Sequence, residues 1–128
     1  MKRSLTKQER VTDRRRVRKL FRARSTPRRG GLRVFYAANH AHLSRVVVCP
    51  ARGFAHAPAR NRQRRLVREA YRLLKHRVAP GYDLLLQIRP RRRELGVRAA
   101  GDILAGLLDG AGLLRPAVYD GAGAGQAR

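Results

Sequence analysis

The chain of 128 residues has no tryptophan, a single cysteine, and only 8 acidic residues against 31 lysines and arginines. Each shortage excludes something. Cys49, set in an apolar run, has no partner for an internal disulfide, and reads as a small hydrophobe in a reducing compartment. With one cysteine, and with His40 and His42 in a turn-like stretch far in sequence from His56 and His76, a zinc site is unsupported. The acids Glu9, Asp13, Glu69, Asp83, Glu94, Asp102, Asp109 and Asp120 stand singly along the chain. They offer no carboxylate pair of the kind with which a protein nuclease holds two Mg2+ ions, so no catalytic side chain is assigned. No glycine-rich loop leads into Lys-Ser or Lys-Thr, which leaves nucleotide hydrolysis without a phosphate cradle. Neither a signal peptide nor an apolar stretch long enough to span a bilayer is visible, and the expectation is a cytoplasmic protein without a membrane partner.

What is present is positive charge on a globular body. Hydrophobic residues make up 43% of the chain, too many for a disordered tail protein, and the length suits one domain. A net charge of +23 requires a strongly negative partner, and nucleic acid rewards an extended basic surface through counterion release. The bases are overwhelmingly arginine, whose guanidinium forks onto phosphate and stacks on bases, a bias that suits RNA and that a GC-rich coding sequence would also produce.

The order of elements follows from changes of period. Val17, Leu20 and Phe21, spaced i, i+3, i+4 behind Thr12 or Asp13 as N-cap, predict a short first helix. Ser25, Thr26, Pro27, Gly30 and Gly31 break it. Leu32, Val34, Tyr36 and Ala38 then alternate with Arg33, Phe35 and Ala37 as a strand, 39–42 reads as a turn, and 43–49 is a second strand with a β-branched centre. A short third strand is placed near 52–55. A long helix follows over 59–78, then a strand over 82–88 and a last helix over 96–108. The pattern predicts an α/β sandwich with helices packed on a sheet, a body spanning 1–114, and a flexible tail over 115–128 whose Gly/Ala-rich end has nothing to bury.

The long helix carries the strongest signal. At about 100° per residue, Asn61, Arg64, Arg65, Arg68, Arg72 and Lys75 fall on one arc, while Leu66, Val67, Ala70, Leu73 and Leu74 fall on the other. A solvated helix usually mixes signs to gain (i, i+4) pairs. Here Glu69 is the only acid in the run 60–75, so the face is expected to bind a polyanion.

The run Arg60-Asn61-Arg62-Gln63-Arg64-Arg65-Leu66-Val67-Arg68-Glu69 resembles the RNR signature of the bacterial ribonuclease P protein component, R-N-R-x-K-R-x-x-R-E. The resemblance extends over roughly 5–114 and includes the first helix with Phe21, the strand with Tyr36, and Pro80-Gly81-Tyr82-Asp83 leading into the strand behind it. It implies an αβββαβα two-layer sandwich with a left-handed βαβ crossover, although the general rule favours right-handed ones. It also implies a ribonucleoprotein endonuclease in which the catalytic RNA holds Mg2+ and cuts the 5′ leader from precursor tRNA, with the protein as accessory and no other protein required. By the same resemblance Arg52, Arg60, Asn61, Arg62, Arg64, Arg65, Arg68 and Arg72 contact the catalytic RNA, with an indirect role for Asn61 toward metal-bound water or phosphate. Val17, Phe21 and Tyr36 would line a cleft for the single-stranded leader. Three departures stand out: Val17 replaces an aromatic, Arg64-Arg65 replaces Lys-Arg, and the stretch 50–54 offers one base, Arg52, where the family commonly has two. A basic ribosomal protein or a general RNA chaperone shares the composition and remains the competing reading.

Overall fold

The structure, a computed structural model, describes residues 5–115. All but the first residue of the expected tail, 115–128, lies outside them. A 3-10 turn, Lys7–Glu9, leads to α1 (Arg14–Leu20), β1 (Arg24–Ser25), β2 (Leu32–Ala38), β3 (Arg45–Pro50), α2 (Ala57–Leu74), a second 3-10 turn at Lys75–Arg77, β4 (Tyr82–Ile88) and α3 (Val97–Gly110). The four strands form one sheet in the order β1-β2-β4-β3.

Two features of this order differ from the sequence reading. The third strand is β1, where Arg24 and Ser25 pair antiparallel with Tyr36 and Phe35, and 52–55 is a turn instead. The β1–β2 connection can be tight because Gly30 and Gly31 adopt φ of 60° and 84°; a Cβ on Gly30 would come within 2.5 Å of Ile103 Cδ1. The stretch 39–44 is not a hairpin turn. β4 inserts between β2 and β3, antiparallel to the first and parallel to the second, so 39–44 carries the chain past the end of β4. Asn39 fixes this crossing: its Nδ2 donates to Asp83 Oδ1 at 2.9 Å, its backbone N–H donates to Gly81 O, and its Oδ1 accepts from Ala41 N. Parallel β3 and β4 with α2 between them make the βαβ unit.

Strand alternation assigns the two faces of the sheet. Leu32, Val34, Val46, Val48, Leu84, Leu86 and Ile88 pack with Val67, Tyr71 and Leu74 of α2 and Leu104, Leu107 and Leu108 of α3. This is the main core; each fully buried leucine there contributes roughly 1.5–3 kcal/mol. Phe35 and Leu85 face the other way and meet Leu20 of α1. The two long helices therefore cover one face completely, while the short α1 covers only the middle of the other. Both helix starts are capped from the side chain. Asp13 Oδ1 accepts from Arg15 N at 2.8 Å, and His56 Nδ1 accepts from Ala59 N at 3.3 Å, just before Pro58 in the first turn of α2. Within the polar stretch 5–13, Val11 is buried and donates its N–H to Val46 O at 2.9 Å.

Candidate nucleic-acid interface

The buried stripe of α2 is Gln63, Val67, Ala70, Tyr71 and Leu74, which turns Arg60, Arg64, Arg65 and Arg68 outward. None of these four has a carboxylate partner among the described residues. Arg64 donates instead to Asn61 Oδ1 at 2.9 Å. That engages one lone pair of the amide oxygen and leaves the Asn61 NH2 as a neutral donor on the arginine face. Arg72 is held by Glu69, one turn back on the same helix, at 2.9 and 2.5 Å, and this hydrogen bond keeps the Glu69 carboxyl below its ordinary pKa.

Arg62 leaves the arc. It points toward the loop before α3, where Glu94 receives it in a two-pronged bond of 2.9 and 2.6 Å with both side chains partly open to solvent. The Arg62 hydrogen bond holds Glu94 below the usual carboxylate range, and the nearby His56 adds a smaller effect in the same direction. Sequence spacing could not find this clamp, because the partners lie 32 residues apart. Arg52 is exposed in the turn after β3, apart from the helix face.

On the α1 face of the sheet, register arranges the side chains in rows. Ala37, Asp83 and Arg45 form the first row, Phe35, Leu85 and Val47 the second, and Arg33, Gln87 and Cys49 the third. Leu20 and Val17 of α1 cover the apolar middle row. Phe21, at the end of α1, remains 42% exposed and meets Phe35 edge-on, with ring centroids 5.5 Å apart. Arg33 lies over the Phe35 ring at 5.4 Å. Val17 and Phe21 are thus brought together, but Tyr36 is not with them. One residue on from Phe35, it projects from the opposite face, beside Thr26, Arg29 and the glycine-bearing side of α3. The aromatic that stands opposite Phe21 is Phe35, and the alternation already written in 32–38 was the signal that separates the two.

At the third row three arginines converge without a carboxylate. Arg28 donates to Gln87 Oε1 at 3.0 Å and Arg33 to Thr26 O at 3.3 Å. Burial, then the charges of Arg89 and Arg33, push the Arg28 pKa down. Cys49 sits at the β3 edge of the same row; burial raises its thiol pKa against the opposing influence of Arg64, which places an α2 arginine within electrostatic reach of this face. The first row is different, since the buried Asp83 accepts from Asn39 and, at 3.4 Å, from Arg16.

Among the described residues no group of three histidine, cysteine or acidic side chains converges, and Asp83 is engaged by Asn39 and Arg16. No helix of the described residues is long and apolar enough to cross a membrane.

These features define a small mixed α/β protein that carries an unneutralised arginine face on one helix and an aromatic–arginine surface on its sheet. The family model for ribonuclease P matches residues 5–110, and the chain belongs to that family. The ribonuclease P protein component of Roseiflexus castenholzii is 36% identical over 92 residues, which cover 71% of this chain and 75% of that protein. The fold is similar to the RNase P protein of Thermotoga maritima, with a TM-score of 0.65 at 25% identity over 78% of this chain and 94% of that one. It is also similar to the RNase P protein of Staphylococcus aureus, with a TM-score of 0.70 at 16% identity over 84% and 98%.

Proposed function

We propose that this chain is the accessory protein subunit of a ribonuclease P, binding the catalytic RNA through α2 and the 5′ leader of precursor tRNA through the α1 face of the sheet. The observation that carries this reading is the arginine face of α2: Arg60, Arg64, Arg65 and Arg68 project together from a rigid helix with no carboxylate among the described residues to neutralise them. Such a face in the RNR run of a ribonuclease P family member suits RNA phosphates, with Asn61 as a neutral donor among them. Phe21, held edge-on against the buried Phe35 and with Arg33 nearby, offers an unstacked leader base a ring and its phosphate a guanidinium. Hydrolysis then belongs to the RNA and the Mg2+ ions it holds, and the protein's part is to position the substrate and screen its charge. Arg62 is the exception in the motif, since Glu94 already holds its Nε and Nη2 and offsets its charge.

The test is a cleavage assay with in vitro transcribed ribonuclease P RNA and precursor tRNA at low Mg2+. The purified protein should raise the cleavage rate well above that of RNA alone and should favour precursor over mature tRNA. If the rate is the same with and without protein, the subunit reading is wrong. Tight binding without that preference would support a ribosomal protein or an RNA chaperone.

A further inference from the structure

We propose that the N-terminal segment, residues 5–11, is a second RNA-binding element, in which Arg10 contacts a backbone phosphate and joins the α2 arginine face to a basic cavity at the start of α1. The proposal rests on the reading of this chain as an RNA-binding subunit and adds a site to it. A cavity of about 340 Å3 lies between this segment and α2, lined by Leu5, Arg10, Arg65, Arg68, Glu69 and Arg72. Its one carboxylate is already taken by Arg72, so Arg10, Arg65 and Arg68 present uncompensated charge to whatever enters. A second cavity of about 410 Å3 opens on the other side of the segment, where Lys7, Arg10, Arg16 and Arg45 outnumber Asp13. Arg10 lines both. Arg10 thus stands between two basic spaces, one beside the helix that bears the RNR run and one beside the helix that bears Phe21.

The segment is held there by contacts that its polar sequence does not advertise. Leu5 packs against the main core and Val11 is buried. Between them Lys75 Nζ donates to both Glu9 carboxylate oxygens, at 2.9 and 3.2 Å, in a pair only 17% and 23% exposed. Glu9 in turn accepts from Thr6 N at 2.9 Å. One acid in a strongly basic chain is thereby placed next to Arg10, where it pins the backbone to the 3-10 turn that follows α2 while Arg10 itself makes no ion pair among the described residues. Arg10 is exposed and sits on a parallel bridge to Val46, a fixed backbone from which its side chain projects. A polyanion with charges repeated along a strand fits such a pair of spaces, and its repeating unit is the phosphodiester.

The experiment measures binding of the full chain to in vitro transcribed ribonuclease P RNA, and to a structured control RNA of equal length, across a salt series. Arg10→Gln should weaken binding about three- to tenfold near 0.1 M salt and flatten the log K against log salt slope by about one. Glu9→Gln gives the sharper result. Removing a carboxylate from a basic surface should tighten RNA binding if electrostatics alone governs, whereas loss of the tether should weaken it. In the Arg10→Gln background Glu9→Gln should add nothing further. An unchanged slope for Arg10→Gln, or tighter binding by Glu9→Gln, overturns the proposal. If Glu9→Gln does not fold, as judged by its melting curve, the Arg10→Gln slope decides. Equal binding of the wild-type chain to both RNAs would instead count against the subunit reading, and the Arg10 slope on either RNA would still decide the site.

Discussion

Glu94 has no counterpart in the charge pattern of α2, yet it governs the most recognisable residue of the motif. Its clamp on Arg62 is exposed, so it is an exchangeable partner that a phosphate can displace, not a structural strut. Glu94→Gln should therefore tighten RNA binding by severalfold and steepen the salt slope by up to one; a loss of affinity in the same titration would mean that the pair orders a surface the RNA needs. Gln63 poses the opposite problem. It is 2% exposed on the buried stripe of α2, and its Nε2 has no hydrogen-bond partner among the described residues. An orphaned buried amide costs about 1–3 kcal/mol, so Gln63→Leu should stabilise the chain by about 1–2 kcal/mol in urea unfolding, and no gain would show that an ordered water satisfies the amide. The polar letter hid this core position, since hydrophobic spacing detects only apolar residues. Tyr36 lies apart from Val17 and Phe21 for another reason: resemblance grouped the three, while strand alternation puts its neighbour Phe35 on their side of the sheet. Phe21→Ala should lower affinity for precursor tRNA more than for mature tRNA in complexes with the catalytic RNA, and Tyr36→Ala should leave that ratio unchanged. The reverse ranking would return the leader to the other face.

At the scale of elements, α2 is a rigid rail with its phosphate contacts at fixed spacing, and this makes their loss countable. Arg65→Ala combined with Arg68→Ala should reduce the salt slope by about two; an undiminished slope would put that face off the phosphates. The N-terminal segment is the softer element, and its tether responds to pH. Burial alone would raise the Glu9 pKa, but hydrogen bonds from the Thr6 backbone and Lys75, together with the Lys75 charge, outweigh it and leave the carboxyl below its ordinary value. A depressed carboxylate contributes stability that is complete above its unfolded pKa and is lost as pH falls through the lower folded value. The protection factor of the Val11 amide, its intrinsic exchange rate divided by the observed one, should accordingly stay high at neutral pH, where its N–H is bound to Val46 O, and fall in acid, whereas in Glu9→Gln it should be low at both. Most elements were legible because they are long and periodic: the 82–88 strand is found with the same ends, and α2 and α3 to within a few residues. β1 was not, because two exposed residues carry no period, and its existence depends on Tyr36 and Phe35 across the turn. The insertion of β4 between β2 and β3 was equally invisible, since the stretch 39–44 looks locally like a hairpin and only pairing with residues some forty positions later distinguishes it.

Over the whole molecule, 31 basic residues face 8 acids, and the ion pairs among the described residues engage Arg16, Arg62, Arg72 and Lys75. The remaining charge repels itself, so the free protein is less stable than its core alone would make it, and a polyanion relieves that strain when it binds. Salt should consequently act with opposite sign on the two states. In the free chain, raising sodium chloride from low ionic strength shortens the Debye length to about 10 Å at 0.1 M and screens the repulsion, so the melting temperature should rise. Inorganic phosphate at matched ionic strength should raise it further, because an anion that binds the folded surface adds RT ln(1 + [L]/Kd) to its stability. For a domain of this size a gain of about 1 kcal/mol corresponds to about 4 °C, well within what a thermal scan resolves. The RNA complex should move the other way over the same salt range, because each phosphate contact released a counterion when it formed. Phosphate and chloride equally effective on the free chain would mean diffuse screening without defined anion sites, and would weaken the case for the α2 face and the Arg10 site together. A melting temperature indifferent to both salts would mean that the arginines are spread widely enough not to repel, leaving their number a matter of coding bias. The crowding of Arg10, Arg65 and Arg68 around one cavity, and of Arg28, Arg33 and Arg89 around another point of the sheet, argues for the first outcome.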